Sequence, residues 1–489
     1  MLESIQHFNK ISVNIFAELI GEFYQTPTEF APFIRGITEE LHKVGILIVK
    51  ETLESMDQML RDSGKRALEW TVEQGTEKEL LTSLGAIRFH KTLFENKQTG
   101  EMCYLLDRII GLEKKERITE DALAAIYEEA VQTSYRRGGE AASILDTVSK
   151  QTVKNKLHAL KFPQLWVAPV RKKVVDYLYI EADEDHIALQ FREKKGDLQR
   201  DENGRKNNNM ITKLVYVHEG VEPVAPKSSR YRLVNPYYFC STVKYTTNEQ
   251  MWDEVYAYLD AKYDLTKVKR IYVNSDGGGW IRSGMRRIRG LVHVLDGYHL
   301  GISIRKMVNH MKDSADDAAD EIRREIRKGT KQGFRELADR LEAYFENGSA
   351  KTFVESRDYI LANWTAARYR LGRVEGKVGS STEGHVYHVL ADRMSTQPMG
   401  WSSKGADRMA RLRAYYLNGG DMLELARFQK QELPRAAGAE EQKYLTGWEV
   451  LRTKENLHGI TGKYYDAIHH SISLQNKKKV YFETHIWGL

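Results

Sequence analysis

Two acids in this sequence close apolar runs. Asp183 ends the alternating stretch Tyr177-Leu178-Tyr179-Ile180-Glu181-Ala182, and Asp276 ends Arg270-Ile271-Tyr272-Val273-Asn274-Ser275. Both runs read as strands, and ligand sites in open α/β sheets gather at strand carboxyl ends. Close carboxylates repel and raise one another's pKa unless a cation is present, so such a pair suits a divalent metal. Hard oxygen ligands point to magnesium or manganese rather than zinc. The best third ligand is Glu383, in the first turn of a helix capped by Ser380 or Ser381. Glu383 as a mere complement to the helix dipole is the plain alternative. His385 and His388 lie three apart on the same helix, but with no third soft ligand nearby zinc is not expected.

The elements around these acids follow a recognisable order. Tyr177–Asp183 is a strand, Glu184-Asp185-His186 a turn, and Ile187–Phe191 a second strand; Ile211–Val217 is a third. A helix follows from about Asn248 to Tyr263, then the strand ending at Asp276, a short basic helix, and a last strand at Gly290–Asp296. Strand, strand, strand, helix, strand, helix, strand is the order of a ribonuclease-H-like α/β fold. From Gly301 to about Lys377 the chain is charged and helical, and reads as an insertion into that core.

Residues 1 to about 80 read as helices, followed by strand-like pieces at Ala86–His90 and Met102–Leu106 around a polar turn. Farther on, a helix from Glu140 to Leu145, a turn at Asp146-Thr147-Val148 and a helix capped by Ser149 have the layout of a helix-turn-helix. Its second helix would bury Val153 and Leu157 and turn Lys150, Gln151, Lys154 and Asn155 toward a DNA major groove. The divisions expected are 1–117 (helices with a small hairpin), 118–170 (helix-turn-helix), 171–300 (core, first part), 301–378 (insertion), 379–405 (core, final helix) and 406–489. The last is mainly helical, with a short strand at Lys479–Phe482.

Length and composition set the frame. With 489 residues, 41% hydrophobic, and only 9 prolines, the chain has material for about three domains and is not a disordered polymer. The 74 Lys+Arg against 68 Asp+Glu give a net +6, too mild to identify a nucleic-acid binder by itself. Clusters say more: Arg282, Arg286, Arg287 and Arg289 fall within eight residues, Arg323–Lys328 follows, and Lys477-Lys478-Lys479 comes near the end. The two cysteines, Cys103 and Cys240, cannot build a disulfide framework. No apolar run is long enough for a membrane span, and Met1-Leu2-Glu3-Ser4 is unlike a secretory signal, so a cytoplasmic protein without membrane contact is expected.

Several blocks together carry a resemblance. Tyr179–His186, Tyr272–Gly277, Leu295–Leu300, Glu383–Val386, and the stretch from Asp392-Arg393-Met394-Ser395 through Pro398–Ser402 resemble the signature blocks of the ISLre family of bacterial insertion-sequence transposases, which is distantly similar to Mutator-like transposases. The likeness runs through nearly the whole chain, including Arg411–Tyr415 and Asn418-Gly419-Gly420. It implies an Asp-Asp-Glu enzyme with a ribonuclease-H-like core interrupted by a helical insertion. By position, Asp183, Asp276 and Glu383 would be its three catalytic acids and would hold two magnesium or manganese ions. Asp185 rivals Asp183 for the first place, and Asp296, His299 and His385 would support the site.

Two ions on three carboxylates would allow DNA hydrolysis and then strand transfer without a covalent enzyme intermediate. The helix-turn-helix would read terminal inverted repeats in double-stranded DNA. Arg282, Arg286 and Arg287 would bind phosphates of the ends or of target DNA, and Trp364, Arg368 and Arg370 would stack on or clamp a displaced strand, although Trp364 reads more readily as core. Joining two ends calls for a homodimer or larger assembly on DNA. A metal-dependent nuclease without strand transfer and a non-catalytic DNA-binding regulator are the competing readings.

Overall fold

The computed structural model describes residues 3–190, 208–288, 290–344, 350–397, 399–430 and 441–445. The chain divides into two compact units, Met1–Lys156 with Met422–Leu489, and Leu157–Asp421. Among the described residues, no helix is long and apolar enough to cross a membrane.

In the first unit, helices at Val13–Gln25 and Phe30–Asp62 precede an antiparallel pair of strands, Trp70–Leu81 and Ala86–Asn96. The first strand overturns the helical reading of residues up to 80. Its Glu73, Glu77, Lys78 and Glu79 favour a helix locally. Pairing along its length with Ala86–Asn96, and burial of Trp70, Leu80 and Leu81 at its ends, override that preference. Only Met102–Cys103 of the next expected strand pairs; Leu105–Ile110 coils into a helix that buries Leu105 and Leu106.

The expected helix-turn-helix is altered in its first half. Helices span Glu120–Gln132, Tyr135–Glu140 and Lys150–Ala159, and residues 141–149 connect the last two. The helix expected at Glu140–Leu145 therefore ends where it was to begin. The chain folds back so that the Val148 amide donates to the Gly139 carbonyl at 3.0 Å. A β-carbon on Gly139 would lie 2.2 Å from the Val148 carbonyl oxygen, so only glycine permits this return. Ser149 caps the last helix as expected, accepting the Thr152 amide at 3.1 Å. Helix Met422–Phe428 also belongs to this unit, where Arg427 meets Glu120 at 3.0 Å.

The second unit is built on a five-stranded sheet. Its strands are β1 (Tyr177–Ala188), β2 (Asn209–His218), β3 (Tyr237–Thr242), β4 (Arg270–Ser275) and β5 (Leu291–Leu295), with helices α1 (Asn248–Lys262) and α2 (Gly279–Met285) on either side of β4 in sequence. Their order across the sheet is β5-β4-β1-β2-β3. The pairs β1/β2 and β2/β3 are antiparallel; β1/β4 and β4/β5 are parallel. The strand expected to stop at Asp183 runs on to Ala188, because Glu184, Asp185 and His186 pair with Lys213, Thr212 and Ile211 instead of turning. Side chains alternate across a strand, so β1 separates its residues cleanly. Leu178, Ile180 and Ala182 enter a core with Met251, Trp252, Val255 and Leu259 of α1. Tyr179 packs on Tyr272 and Val294 on the opposite face, and Glu181, Asp183 and Asp185 share that parity.

Among the described residues after β5 are the α-helices α3 (Gly297–Val308), α4 (Ala315–Lys328), α5 (Lys331–Glu342), α6 (Lys351–Ala362) and α7 (Trp364–Leu371). They close around a core of their own that includes Ile304, Ile322, Phe334, Phe353 and Trp364. Helix α8 (Thr382–Val386) continues through a π turn at Tyr387–Ala391 to Met394, and α9 (Ser403–Leu417) lies against β3. The expected tail strand at 479–482 and Lys477–Lys479 fall outside the described residues.

Candidate active site

Strand register brings the first two acids together. Glu181 of β1 is level with Asn274 of β4, the last pair between these parallel strands. Two residues farther along each chain, on the same face, come Asp183 and Asp276. Leu295 of β5 is level with Ser275, so Asp296 follows in line. Three aspartates thus succeed one another across the end of the parallel pairing.

The first two are held by short backbone contacts. Asp183 Oδ1 accepts the Glu184 amide at 2.8 Å, and Asp276 Oδ1 accepts the Gly278 amide at 2.8 Å. The Asp276 carbonyl oxygen accepts the Tyr359 hydroxyl of α6 at 2.8 Å, which ties the insertion to the site. Gly277 has φ +84°, and a β-carbon there would stand 2.4 Å from Asn363 Oδ1. That explains the first glycine of the run after Asp276.

Glu383 reaches the site through a buried carboxylate. Glu181 is completely buried in β1. Its Oε2 accepts the Ser381 amide at 3.0 Å, the Thr382 hydroxyl at 2.8 Å and the Tyr216 hydroxyl at 2.5 Å. Asn274 donates to its Oε1 at 3.4 Å, and His218 Nε2 lies at the same distance. Against burial, these partners hold the Glu181 carboxyl below its usual pKa. The start of α8 is therefore fastened to the strand that carries Asp183. Sequence reading missed this role. The available signal was a carboxylate at a buried-parity position inside an otherwise apolar strand.

Electrostatics report the convergence. Burial first, then the charges of Asp276 and Glu383, push the Asp183 carboxyl up to about 7. His299, near the start of α3, is the neighbouring imidazole: its Nδ1 lies 3.1 Å from Asp296 Oδ2 and its Nε2 3.9 Å from Glu383 Oε1. The hydrogen bond with Asp296 raises the imidazole pKa, aided by the charges of Asp183 and Asp276. Despite burial, His299 and Ser380 hold Asp296 down to about 2.

Carboxylate oxygens with surplus negative charge and no thiolate fit a hard divalent cation. As the side chains stand, no group of three or more His, Cys, Asp or Glu among the described residues is close enough to hold one ion.

The other candidates fall in different places. Asp185 continues the same face of β1, but its Oδ1 takes the Ser395 hydroxyl at 3.2 Å and its Oδ2 is buried with no hydrogen-bond partner among the described residues. It lies within the strand, not in the turn expected for it. His385 stacks on Tyr216 at 4.7 Å between ring centres, and burial lowers its pKa. It belongs to an aromatic wall beside α8. Trp364 is buried against Phe334 in the insertion core, the second of its two expected places, where it cannot stack on a displaced base without the core opening. Arg370 is likewise turned inward, corrected from a clamp on DNA to a structural tie: it donates to the Leu295 carbonyl at 2.6 Å and to Asn274 Oδ1 at 3.0 Å. Arg368 is exposed.

Arg282 and Arg286 are exposed, with Arg282 donating to Asn363 at 2.8 Å. Arg287 is exposed but forms a bidentate pair with Asp253, both contacts 2.6 Å. Arg289 lies outside the described residues. Lys150, Gln151 and Asn155 are exposed and Lys154 half-buried, with Gln151 donating to Asn155 at 3.0 Å.

Comparison with known proteins finds relatives over most of the chain. A UPF0236 protein of Caldanaerobacter subterraneus subsp. tengcongensis, whose name joins four designations, is 32% identical over 433 residues, 88% of this chain and 86% of that one. A second from the same organism, whose name joins eleven, is 29% identical over 433 residues with the same shares covered. Among solved structures, a chain of the Drosophila P element transposase strand transfer complex aligns over 76% of this chain and 96% of its own. Its identity is 10% and its TM-score 0.22, too distant to carry weight. The match that places the protein is to a family described as uncharacterised, over residues 28–432, and the chain belongs to that family, UPF0236.

Proposed function

We propose that this protein is a DNA transposase with a ribonuclease-H-like core, in which Asp183, Asp276 and Glu383 act on phosphodiester bonds. The carrying observation is the shared field of these three acids: two aligned by parallel strand register, the third fastened alongside by Glu181, and the Asp183 carboxyl pushed up to about 7 by burial and by its two neighbours. The observed order of three antiparallel strands followed by two parallel ones, interleaved with helices, is what such a core requires. A protein whose name joins eleven designations in one organism is what repeated copies of a mobile element would produce.

A pair of magnesium or manganese ions on these carboxylates would activate a water or a DNA 3′-hydroxyl and stabilise the leaving oxygen. The chain's own residues do the rest. Asp183 and Asp276 are oriented by the Glu184 and Gly278 amides, and Glu383 stands half-exposed on the first turn of α8. His299, whose imidazole pKa the Asp296 hydrogen bond raises, stands beside the acids. Exposed Arg282, Arg286 and Arg368 would grip DNA phosphates, and the helix Lys150–Ala159 would bind the element's ends. Cytoplasmic residence and a dimeric or larger complex on DNA belong to the same reading.

The test is a labelled duplex carrying the DNA that borders the gene, incubated with the protein and magnesium. Cleaved and joined strands are expected. Cleavage without joined products would make it a nuclease, and DNA binding without cleavage a regulator.

A further inference from the structure

The sheet face that carries the acids also carries a run of aromatic rings. Tyr272 stacks on Tyr179 at 5.8 Å between ring centres, Tyr179 on His218 at 5.1 Å, and His218 on Tyr216 at 6.0 Å. The run ends in His385, 4.7 Å from Tyr216 and 6.0 Å from Tyr238. His385 and Tyr238 line a cavity of about 640 Å³, within the roughly 300–1,000 Å³ usual for small-molecule sites. Tyr231, on the short hairpin Val221–Pro223/Tyr231–Leu233, adds a third ring to its wall, and Gly379 and Ser380 close it ahead of α8.

Ser380 connects this cavity to the acids. Its hydroxyl hydrogen-bonds to Asp296 and lies 3.4 Å from Glu181 Oε2, and Glu383 follows three residues on. No acid lines the cavity itself. The loop of the hairpin beside it carries Lys227 and Arg230, both exposed and without an ion pair among the described residues. Aromatic faces next to free cations are the two parts of a site for single-stranded nucleic acid: bases stack on the rings and phosphates lie along the charges. A base inside a duplex has both faces covered, so only a base outside the stack can use such rings.

We infer that this cavity takes one unpaired base of the DNA strand next to the phosphodiester under attack, with that strand's backbone along Lys227 and Arg230. The inference rests on the reading of the acids as a DNA-cutting site and adds a requirement to it: the duplex is opened by at least one nucleotide where it is cut.

The experiment is photo-cross-linking of the full chain, in EDTA, to a duplex of the DNA bordering the gene that carries a short unpaired 3′ tail of 5-iodo-2′-deoxyuridine. Peptide mass spectrometry is expected to find the adducts on Tyr231, Tyr238 or His385. A β-carbon on Gly379 meets no atom within 4 Å, so Gly379→Phe fills the cavity without displacing a neighbour. It should lower the adduct yield at least tenfold with unchanged duplex affinity and circular dichroism. Tyr231 is 62% exposed, so Tyr231→Ala should fold normally and lower the yield severalfold, while Tyr231→Phe keeps it. A bound tail whose adducts fall elsewhere, or undiminished yield in folded Gly379→Phe, overturns the inference. So does equal cross-linking of free 5-iodo-2′-deoxyuridine 5′-monophosphate to the same residues, which would make the cavity a site for a free nucleotide. Cleavage and joining in magnesium without these adducts would sink this inference alone, whereas a duplex that does not bind would sink the DNA reading with it.

Discussion

Glu181 and Thr382, 201 residues apart in sequence, are joined by a 2.8 Å hydrogen bond from the threonine hydroxyl to a carboxylate that water does not reach. With the adjoining bond from the Ser381 amide, it fixes the distance between the strand bearing Asp183 and the helix turn bearing Glu383. The candidate site thus depends on a buried acid that touches no substrate.

Replacing Glu181 therefore separates position from chemistry. Glu181→Ala leaves Tyr216, Ser381 and Thr382 without their acceptor, and a loss of about 3 kcal/mol is expected in denaturant unfolding. Glu181→Gln keeps the shape and one acceptor oxygen. It should stay folded, yet lose at least tenfold in magnesium-dependent DNA cleavage, with partial recovery at higher metal concentration.

The Asp183 carboxyl gives a pH signature. Its folded pKa of about 7 lies above the unfolded value, so the folded state binds the extra proton and stability falls as pH rises from ordinary carboxyl values through 7. Asp183→Asn removes that penalty. In EDTA at pH 8 it should be more stable than wild type by roughly 1–2 kcal/mol, allowing for partial solvent screening, and equal to it at pH 4. Thermal melts at the two pH values check this. Magnesium should stabilise the wild type but not the variant.

His299 and Asp296 titrate as partners. The imidazole pKa is raised by the Asp296 hydrogen bond, so its contribution to stability is complete below the unfolded histidine value and is lost as pH rises through the folded one. Asp296→Asn should lower the His299 pKa, seen by NMR titration of its ring protons. The alkaline limb of any cleavage profile should move down with it.

Gly277 tests the loop beside Asp276. Its φ is +84°, and a β-carbon added there would sit 2.4 Å from Asn363 Oδ1, so Gly277→Ala is strained twice over. A loss of about 2 kcal/mol in stability is expected, with cleavage reduced more than DNA binding. Filter binding alongside a cleavage assay measures both.

Much of this arrangement was legible. Asp183 and Asp276 stood out by closing apolar runs, and helix α1 with strands β2, β4 and β5 fall where alternating and helical periodicities put them; the first two expected strands instead merge into β1, and the third strand of the sheet, Tyr237–Thr242, was not expected as one. What could not be read was non-local. The strand through Glu184-Asp185-His186 looks like a turn until Lys213, Thr212 and Ile211 pair with it. Trp70–Leu81 looks helical until its neighbour in the sheet is known. Glu181 draws partners from 35, 93 and 200 residues away, so its role is invisible in any window of sequence. Arg370 looked like a clamp for DNA because its neighbours are basic and aromatic; only the fold shows it turned toward the Leu295 carbonyl.

If Asp183, Asp276 and Glu383 share divalent cations, manganese binding should depend on all three. Titrating the full chain with Mn²⁺ and following free ion by electron paramagnetic resonance should show tight sites in the wild type. Asp183→Asn, Asp276→Asn and Glu383→Gln should each weaken binding tenfold or more. Unchanged manganese affinity in any folded member of the three would contradict the shared site.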